Sequence, residues 1–440
     1  MGLSLSRALR LTPIPRVAFV GAGGKTTALF ALARQLEPVI VCASTHLSLA
    51  QIKLADQHLI LEKIEDCDQF DGLPLHGVNL VTGAIRGERT AGLSGDILTW
   101  LHAYCDQHGL PMLIEADGSR QRPLKAPASY EPVIPEFVDH VIVMVGLSGI
   151  GKPLTSEWVH RPEQFASLSE LSHGELIVPD AVIRVLMHPE GGIRNIPIGA
   201  LRIVMLNQAD TPVLQALAGR MARSLLSTYD SVLSTSAALK KIYAAYEPTA
   251  GLILAAGEAK RFGEPKQLLV WRDKPLVWHA ANSALEAGLS PVVVVSGAYT
   301  PQIQEALANL PVKVIHNPTW REGQSSSVKA GLDAIGNRAG AAVFLLSDQP
   351  QIPAILIRSL VQHHTQTMSP IIAPIIDGQR GNPVLFDRSL FPDLMSLEGD
   401  IGGRHLFSRQ SIQWLPWHDD RLLLDVDKPN DYQQLLKMSF

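Results

Sequence analysis

Cysteine is scarce: the 440 residues hold three, Cys42, Cys67 and Cys105, with no CxxC spacing and one necessarily unpaired. That excludes a disulfide framework and a cysteine zinc site, and implies a reducing compartment. Long apolar runs are missing too. No stretch reaches the roughly 20 residues that a bilayer-crossing helix needs, and the short run Val17 to Val20 leads into glycines instead of a small-residue cleavage site. The opening Met1-Gly2-Leu3-Ser4-Leu5-Ser6 fits the loose myristoylation pattern, which cytosolic enzymes often meet by chance. A cytoplasmic protein without a membrane partner is expected. Nor is there a basic stripe: 38 Lys and Arg face 42 Asp and Glu, for a formal net charge of -4, so nucleic acid is not an expected partner.

What the chain does have is apolar content, 46% of its residues, and a length beyond one ordinary core, so two domains are expected. In the first half, β-rich apolar runs at Arg16 to Val20, Pro38 to Ala43, Met112 to Glu115, Val138 to Val145 and Ile203 to Leu206 predict buried parallel strands, with a helix from Thr26 to Gln35. A second α/β series follows Pro248. Its predicted strands are Gly251 to Ala255, Val292 to Ser296, Val312 to His316, Val343 to Leu346 and Ile371 to Pro374. Its predicted helices are His279 to Ala287, Pro301 to Leu310, Ser326 to Ile335 and Pro353 to His363. Leu239 to Tyr246 reads as the last helix of the first domain, stopped by Pro248. The expected fold class is α/β in two domains: a P-loop-like α/β domain over 1–246 and a Rossmann-like αβα domain over 249–440.

In the second domain, Leu254-Ala255-Ala256-Gly257 follows directly on a strand, and small residues there let the backbone approach a nucleotide. Arg261, Gly263 and Lys266 come next; the arginine fork and the lysine point charge suit a triphosphate, although a tight turn with solvated basic residues has the same look. Asp348, in Ser347-Asp348-Gln349-Pro350, ends an apolar strand, where open α/β sheets place their ligands; it can hold Mg2+ or cap the next helix. Leu424 to Asp431 reads as another strand end carrying carboxylates. Asp427 is chosen over Asp425 as the second metal ligand, and Asp431 as a first-turn helix charge. The pair His363-His364 reads as exposed or as a helix C-terminus.

These segments resemble the MobA-like nucleotidyltransferases, together with Asn317-Pro318-Thr319-Trp320-Arg321-Glu322-Gly323, Ser325-Ser326-Ser327, Arg380-Gly381-Asn382-Pro383-Val384, Gly399-Asp400-Ile401-Gly402-Gly403-Arg404 and Asp425-Val426-Asp427-Lys428-Pro429. Within that family the likeness is to the molybdenum cofactor cytidylyltransferases. The resemblance implies transfer of CMP from CTP to Mo-molybdopterin with release of pyrophosphate. It also implies that Gly257, Arg261 and Lys266 grip phosphates, that Asp348 and Asp427 bind Mg2+, and that Trp320, Gly323, Ser326, Asn382 and Arg404 face the acceptor. Ala259 stands where such proteins usually carry serine, and Ser347 where glycine is common. Ala256 stands where guanylyltransferase relatives more often carry a second glycine, and its methyl disfavours a purine.

The first domain opens with its own phosphate loop, Gly21-Ala22-Gly23-Gly24-Lys25-Thr26-Thr27, between a strand and a helix. Backbone amides and the helix N-terminus favour phosphate, Lys25 reaches terminal phosphates, and Thr26 can ligate Mg2+. Phe19 occupies the position of the first Walker glycine, and the shorter loop resembles the Mur-ligase ATP sites. Glu115 and Asp117 follow another buried strand; Asp117 is the first choice for the nucleotide site, with Thr45 and His46 as neighbours at the same sheet edge. Asn207-Gln208-Ala209-Asp210 resembles the guanine-reading segment of GTPases, so Asp210 is a candidate for the base, a loop acid or helix cap being the alternative. ATP or GTP is the expected ligand. With Arg122-Pro123-Leu124-Lys125-Ala126-Pro127, Glu131-Pro132-Val133-Ile134-Pro135, Gly151-Lys152-Pro153-Leu154 and His160-Arg161-Pro162-Glu163, the loop resembles the YqeC-like accessory family associated with selenium-dependent molybdenum hydroxylases. Lys125 is a second candidate phosphate contact or a solvated lysine.

The whole chain is thus expected to be a cytidylyltransferase fused to an NTP-binding accessory domain for molybdenum hydroxylase maturation, in transient contact with a hydroxylase apoenzyme. Two other functions fit less: a sugar-phosphate nucleotidyltransferase, which usually needs further insertions, and a non-catalytic cofactor carrier or insertion chaperone.

Overall fold

Strand runs such as Val39–Ala43 and His140–Gly146 are buried along their whole length, which only a sheet covered on both faces by helices allows. A computed structural model of the chain describes residues 2–258 and 264–438. It divides into two compact units, 1–246 and 247–440, both mixed α/β. Among the described residues no helix is long and apolar enough to cross a membrane.

In unit 1 the sheet strands are β1 (Arg16–Gly21), β2 (Val39–Ala43), β3 (Gln57–Ile60), β4 (Val78–Thr82), β5 (Met112–Glu115), β6 (His140–Gly146), β7 (Leu201–Asn207), β8 (Ser231–Ser236) and β9 (Lys241–Tyr246). They pair in the order β9-β8-β7-β6-β1-β5-β2-β4-β3. Every pair is parallel except β8 with β9. With β2 to β5 on one side of β1 and β6 to β9 on the other, the strand order reverses at β1, and a crevice opens beyond its carboxyl end. The loop Gly21–Gly24 and the helix Lys25–Ala33 occupy that end.

Leu239 to Tyr246 is not a helix. Lys241–Tyr246 forms the antiparallel edge strand β9, in register with β8 through Val232 opposite Tyr246 and Ser234 opposite Ala244. Ile242, Tyr243 and Tyr246 favour a pleated surface, and pairing with the fully buried β8 outweighs the helix propensity of Ala244 and Ala245.

Unit 2 contains β10 (Thr249–Ala255), β11 (Val292–Ser296), β12 (Lys313–His316), β13 (Ala341–Leu346), β14 (Ile371–Ile376), β15 (Gln379–Arg380), β16 (Val384–Asp387) and β17 (Ile412–Pro416). The order is β12-β11-β10-β13-β16-β14-β15, with β17 parallel to β14. Helices Leu276–Glu286 and Ala354–Thr367 bury one face of this sheet, and Gln324–Ile335 with Phe391–Met395 the other, so the unit is a three-layer αβα fold of Rossmann-like type. β10 and β13 are adjacent and parallel. Their carboxyl ends therefore lie side by side, and both carry candidate site residues.

Two further expectations are corrected here. Leu424 to Lys428 is not a strand end: it is an irregular link between a 3-10 turn, Asp420–Leu423, and the helix Pro429–Lys437. Its acids and Pro429 suit no ladder, and it is anchored instead by Val426 N donating to Asp348 O at 3.2 Å. His364 does stand in the last turn of its helix, but it is buried there rather than exposed, its Nε2 lying 2.8 Å from Asp387 Oδ2, which ties that helix to β16.

Candidate functional site

In unit 2 the small residues that end β10 leave a backbone turn at Ala255, Ala256 and Gly257, which a residue outside the sequence motif holds in place. Gln267 is 1% exposed and donates from Nε2 to Ala255 O at 3.1 Å and Gly257 O at 2.6 Å. Because both partners only accept, the amide has one usable orientation. Gly297, just past β11, backs the same turn; a Cβ there would lie 2.5 Å from Ala256 O and 2.8 Å from Trp320 Cγ. Arg261 and Gly263 fall outside the described residues.

Beyond the neighbouring strand, Asp348 does not cap a helix: the next one, Ala354–Thr367, has Pro353 at its N-cap. Instead Lys266 Nζ lies 2.6 Å from Asp348 Oδ2 and 2.9 Å from Asp427 Oδ1. The loop lysine and both predicted metal carboxylates thus meet at one point. Burial by itself would lower the Lys266 pKa, but the charges and hydrogen bonds of Asp348 and Asp427 hold it above the ordinary value. Asp425, set aside in favour of Asp427, also joins the cluster. Gln349 Nε2 donates to its Oδ1, and burial, then the charge of Asp348, pushes its carboxyl up. Asp431 sits in the first turn of its helix and accepts from the backbone of Asp427 and Lys428 at 3.0 and 2.8 Å, which fixes the Asp427 backbone.

The predicted acceptor residues fall mainly on two packed turns. Gly323 has φ +111 and sits so close to Gly399 and Asp400 that a Cβ would meet their backbone, while Ser325 N donates to Gly399 O at 3.2 Å. This joins the Trp320–Gly323 turn to the segment carrying Arg404. Arg380 continues the link by stacking over Phe407 at 4.6 Å, with Asn382 two residues further on. Ser326 turns its hydroxyl inward, to Gly323 O at 2.9 Å and Thr319 O at 3.0 Å. The organiser of that turn is Asn317, 2% exposed, which bonds Ser326, Ser327 and Thr319.

In unit 1, Gly21, Gly23 and Gly24 all have positive φ, and a Cβ on Gly23 would strike the backbone of Gly146, so the turn demands glycine. Lys25 is buried and folds back on its own loop, 2.6 Å from Gly21 O and 3.2 Å from Asp117 Oδ1. The two strand-end acids divide between the loop's polar groups. Asp117 accepts from Gly21 N at 2.9 Å and from Lys125 at 2.7 Å. Glu115, which the sequence ranked second, instead accepts from Thr26 Oγ1 at 2.8 Å, and burial pushes its carboxyl up against the opposing pull of Lys25. Thr27 is exposed in the first helical turn.

Lys125 is buried and also contacts Glu131 at 2.6 Å, whose carboxylate takes both arms of Arg161 at 2.8 and 2.9 Å. Asn207, which the sequence offers only as the first residue of the segment ending in Asp210, donates to Gly23 O at 2.7 Å and accepts from Ala237 N at 2.8 Å. Asp210 is exposed past the same strand end, and Thr211, not Asp210, caps the following helix. Ser48 caps the helix Leu49–Ile52; Thr45 Oγ1 is buried without a hydrogen-bond partner, and His46 contacts Thr90 O.

A family model described as the YqeC protein matches residues 17–163, and one described as the MobA-like NTP transferase domain matches 251–414. The chain carries a YqeC domain in its first half and a MobA-like NTP transferase domain in its second. Three relatives illustrate this. Nicotine blue oxidoreductase of Paenarthrobacter nicotinovorans is 35% identical over 197 residues, 42% of this chain and 95% of that one. The YqeC protein of Escherichia coli K12 is 29% identical over 204 residues, 44% of this chain and 75% of the relative. The molybdenum cofactor cytidylyltransferase of the same organism is 23% identical over 182 residues, 41% and 92% of the two chains. The crystal structure of Rv0371c from Mycobacterium tuberculosis H37Rv aligns at a TM-score of 0.40 with 29% identity, over 43% of this chain and 98% of that one. The MobA-like half is a nucleotidyltransferase domain.

Proposed function

We propose that unit 2 transfers CMP from CTP to the phosphate of Mo-molybdopterin and releases pyrophosphate, and that unit 1 binds ATP or GTP as an accessory domain in molybdenum hydroxylase maturation. The observation that carries this reading is the convergence of Lys266 on Asp348 and Asp427 beside the β10 turn. The residues fit a hard divalent cation: Asp348 Oδ1 is buried with no hydrogen-bond partner, and two carboxylates are what Mg2+ takes when substrate phosphates and water complete its shell. Bound there, Mg2+ would neutralise triphosphate charge and orient the α-phosphorus.

The chain's own groups perform the rest. The Ala255–Gly257 turn, held by Gln267, presents its backbone to the nucleotide; Lys266 offers a cation to the phosphates; Trp320, Gly323, Asn382 and Arg404 line the acceptor side. An ionised acceptor phosphate attacks the α-phosphorus, a new P–O–P link forms, and the α–β anhydride breaks as pyrophosphate leaves. No protein base is required, because the nucleophile arrives deprotonated and alignment lowers the barrier. Cytosine preference is supported by Ala256, whose methyl narrows the turn, and by the relative named for cytidylyl transfer. In unit 1, Lys25 and the backbone amides that open the helix Lys25–Ala33 serve the phosphates, and Thr26 with Glu115 the accompanying cation.

A second reading comes from the relative named an oxidoreductase: unit 2 would then hold a dinucleotide for redox chemistry. The two carboxylates around Lys266 favour the transferase, since hydride transfer has no use for them. Incubating the purified chain with each NTP, Mg2+ and molybdopterin, then identifying the product by mass, separates the readings. The proposal expects the cytosine dinucleotide as the main product; a guanine dinucleotide would replace the base assignment, and no dinucleotide with any NTP would remove the proposal.

A further inference from the structure

We infer that Lys266 holds the place of the divalent cation between Asp348 and Asp427 and yields it when a triphosphate arrives, so that nucleotide and metal load together. The inference rests on the reading of those two carboxylates as the metal pair. Asp348 follows the end of β13 and Asp427 lies in the link before Pro429–Lys437, and the backbone hydrogen bond from Val426 N to Asp348 O at 3.2 Å brings the two like charges together. One ammonium, 2.6 Å from the first and 2.9 Å from the second, offsets their repulsion. The lysine and Asp348 side chains are each 17% exposed and that of Asp427 52%, so solvent screens this arrangement only in part.

The match to a bound cation is incomplete in a telling way. The ammonium serves one oxygen of Asp348 and leaves Oδ1 buried without a partner. Nor do the described residues contain a group of three or more His, Cys, Asp or Glu arranged for a metal, so a divalent ion must take its remaining ligands from phosphate and water. A lysine suits the exchange: it is a single charge on a flexible stem, mounted one residue before Gln267, which grips the nucleotide turn. Triphosphate carries more charge than either carboxylate and draws the ammonium away as it delivers oxygen ligands for the metal.

The test uses Mn2+ alone as probe, with the intact chain and no nucleotide, and reads free Mn2+ by electron paramagnetic resonance. Lys266→Met keeps the stem and removes the charge; it should bind Mn2+ at least ~10-fold more tightly than the unmodified protein, because an electrostatic competitor has gone. The double variant Asp348→Asn, Asp427→Asn should lose the site. If Lys266→Met binds no more tightly while the double variant loses the site, the exchange is wrong and the metal pair stands. If all three proteins bind alike, the metal reading falls and the exchange with it. Should Lys266→Met fail to fold, acylation of Lys266 in the unmodified protein decides: saturating Mn2+ should raise its labelling, and unchanged labelling overturns the inference.

Discussion

Asn207 Nδ2 donates to the carbonyl of Gly23 at 2.7 Å, joining residues 184 positions apart. The same side chain accepts from Ala237 N and Thr235 Oγ1, so one buried amide locks the glycine loop of unit 1 to the ends of β7 and β8. Asn207→Ala strands a buried carbonyl and a buried amide, and should cost about 2 kcal/mol or more. Nucleotide affinity should fall with it, because the loop loses its brace. Urea unfolding and nucleotide titration of the variant check both effects; unchanged stability would show that the brace is redundant.

Acid should destabilise unit 1 in two stages. Burial, and then the charges of Arg161, Lys125 and Arg120, lower the His160 pKa from 6.5 to about 4. Burial would raise Glu131, but hydrogen bonds from Arg161 and Lys125 outweigh it and lower the value from 4.5 to about 2. Both folded values lie below the unfolded ones, so the unfolded chain takes up each proton first. Stability therefore drops between pH 6.5 and about 4 through His160 and between 4.5 and about 2 through Glu131. Melting temperature against pH should lose its upper stage in His160→Gln and its lower stage in Glu131→Gln. A profile unchanged by either substitution would contradict the assignment.

Gly297→Ala should act on the nucleotide turn of unit 2 from behind. The new methyl would sit 2.5 Å from Ala256 O and 2.8 Å from Trp320 Cγ, and neither a backbone carbonyl nor an indole ring moves cheaply. Overpacking of this kind costs about 1–3 kcal/mol. Transfer should fall more than stability does, since the displaced groups are those that the proposed function sets against the two substrates. Parallel melts and turnover measurements distinguish this from a general loss of folding.

Much of this architecture can be read without coordinates, because parallel strands buried on both faces announce themselves as unbroken apolar runs. Val292 to Ser296 matches its predicted bounds, and Gly251 to Ala255 and Val343 to Leu346 extend by two residues at the start. Strands whose burial is not written in apolar residues are another matter. Ser231–Ser236 is fully buried although four of its six residues carry hydroxyls, and the half-buried Gln57–Ile60 offers only two apolar side chains. At the sites, charges next to glycines are visible as candidates, whereas the amides that position them are not. Asn207, Gln267 and Asn317 act through contacts that exist only after distant strands pair. That Glu115 meets the Thr26 hydroxyl while Asp117 meets Gly21 N and Lys125 is likewise a matter of strand register.

The central claim concerns Asp348, and pyrophosphate release measured with CTP, Mg2+ and molybdopterin, for the unmodified chain and for Asp348→Asn, tests it most directly. The unmodified protein should release one pyrophosphate for each cytosine dinucleotide formed. Asp348→Asn keeps the size of the side chain, and Lys266 retains Asp427 as a partner at 2.9 Å, so its melt should be nearly unchanged. Its rate should fall by ~100-fold or more, because the carboxylate charge that orients the metal–triphosphate is gone. A variant that melts like the original and turns over at nearly the original rate, or an unmodified chain that releases no pyrophosphate, would contradict the account.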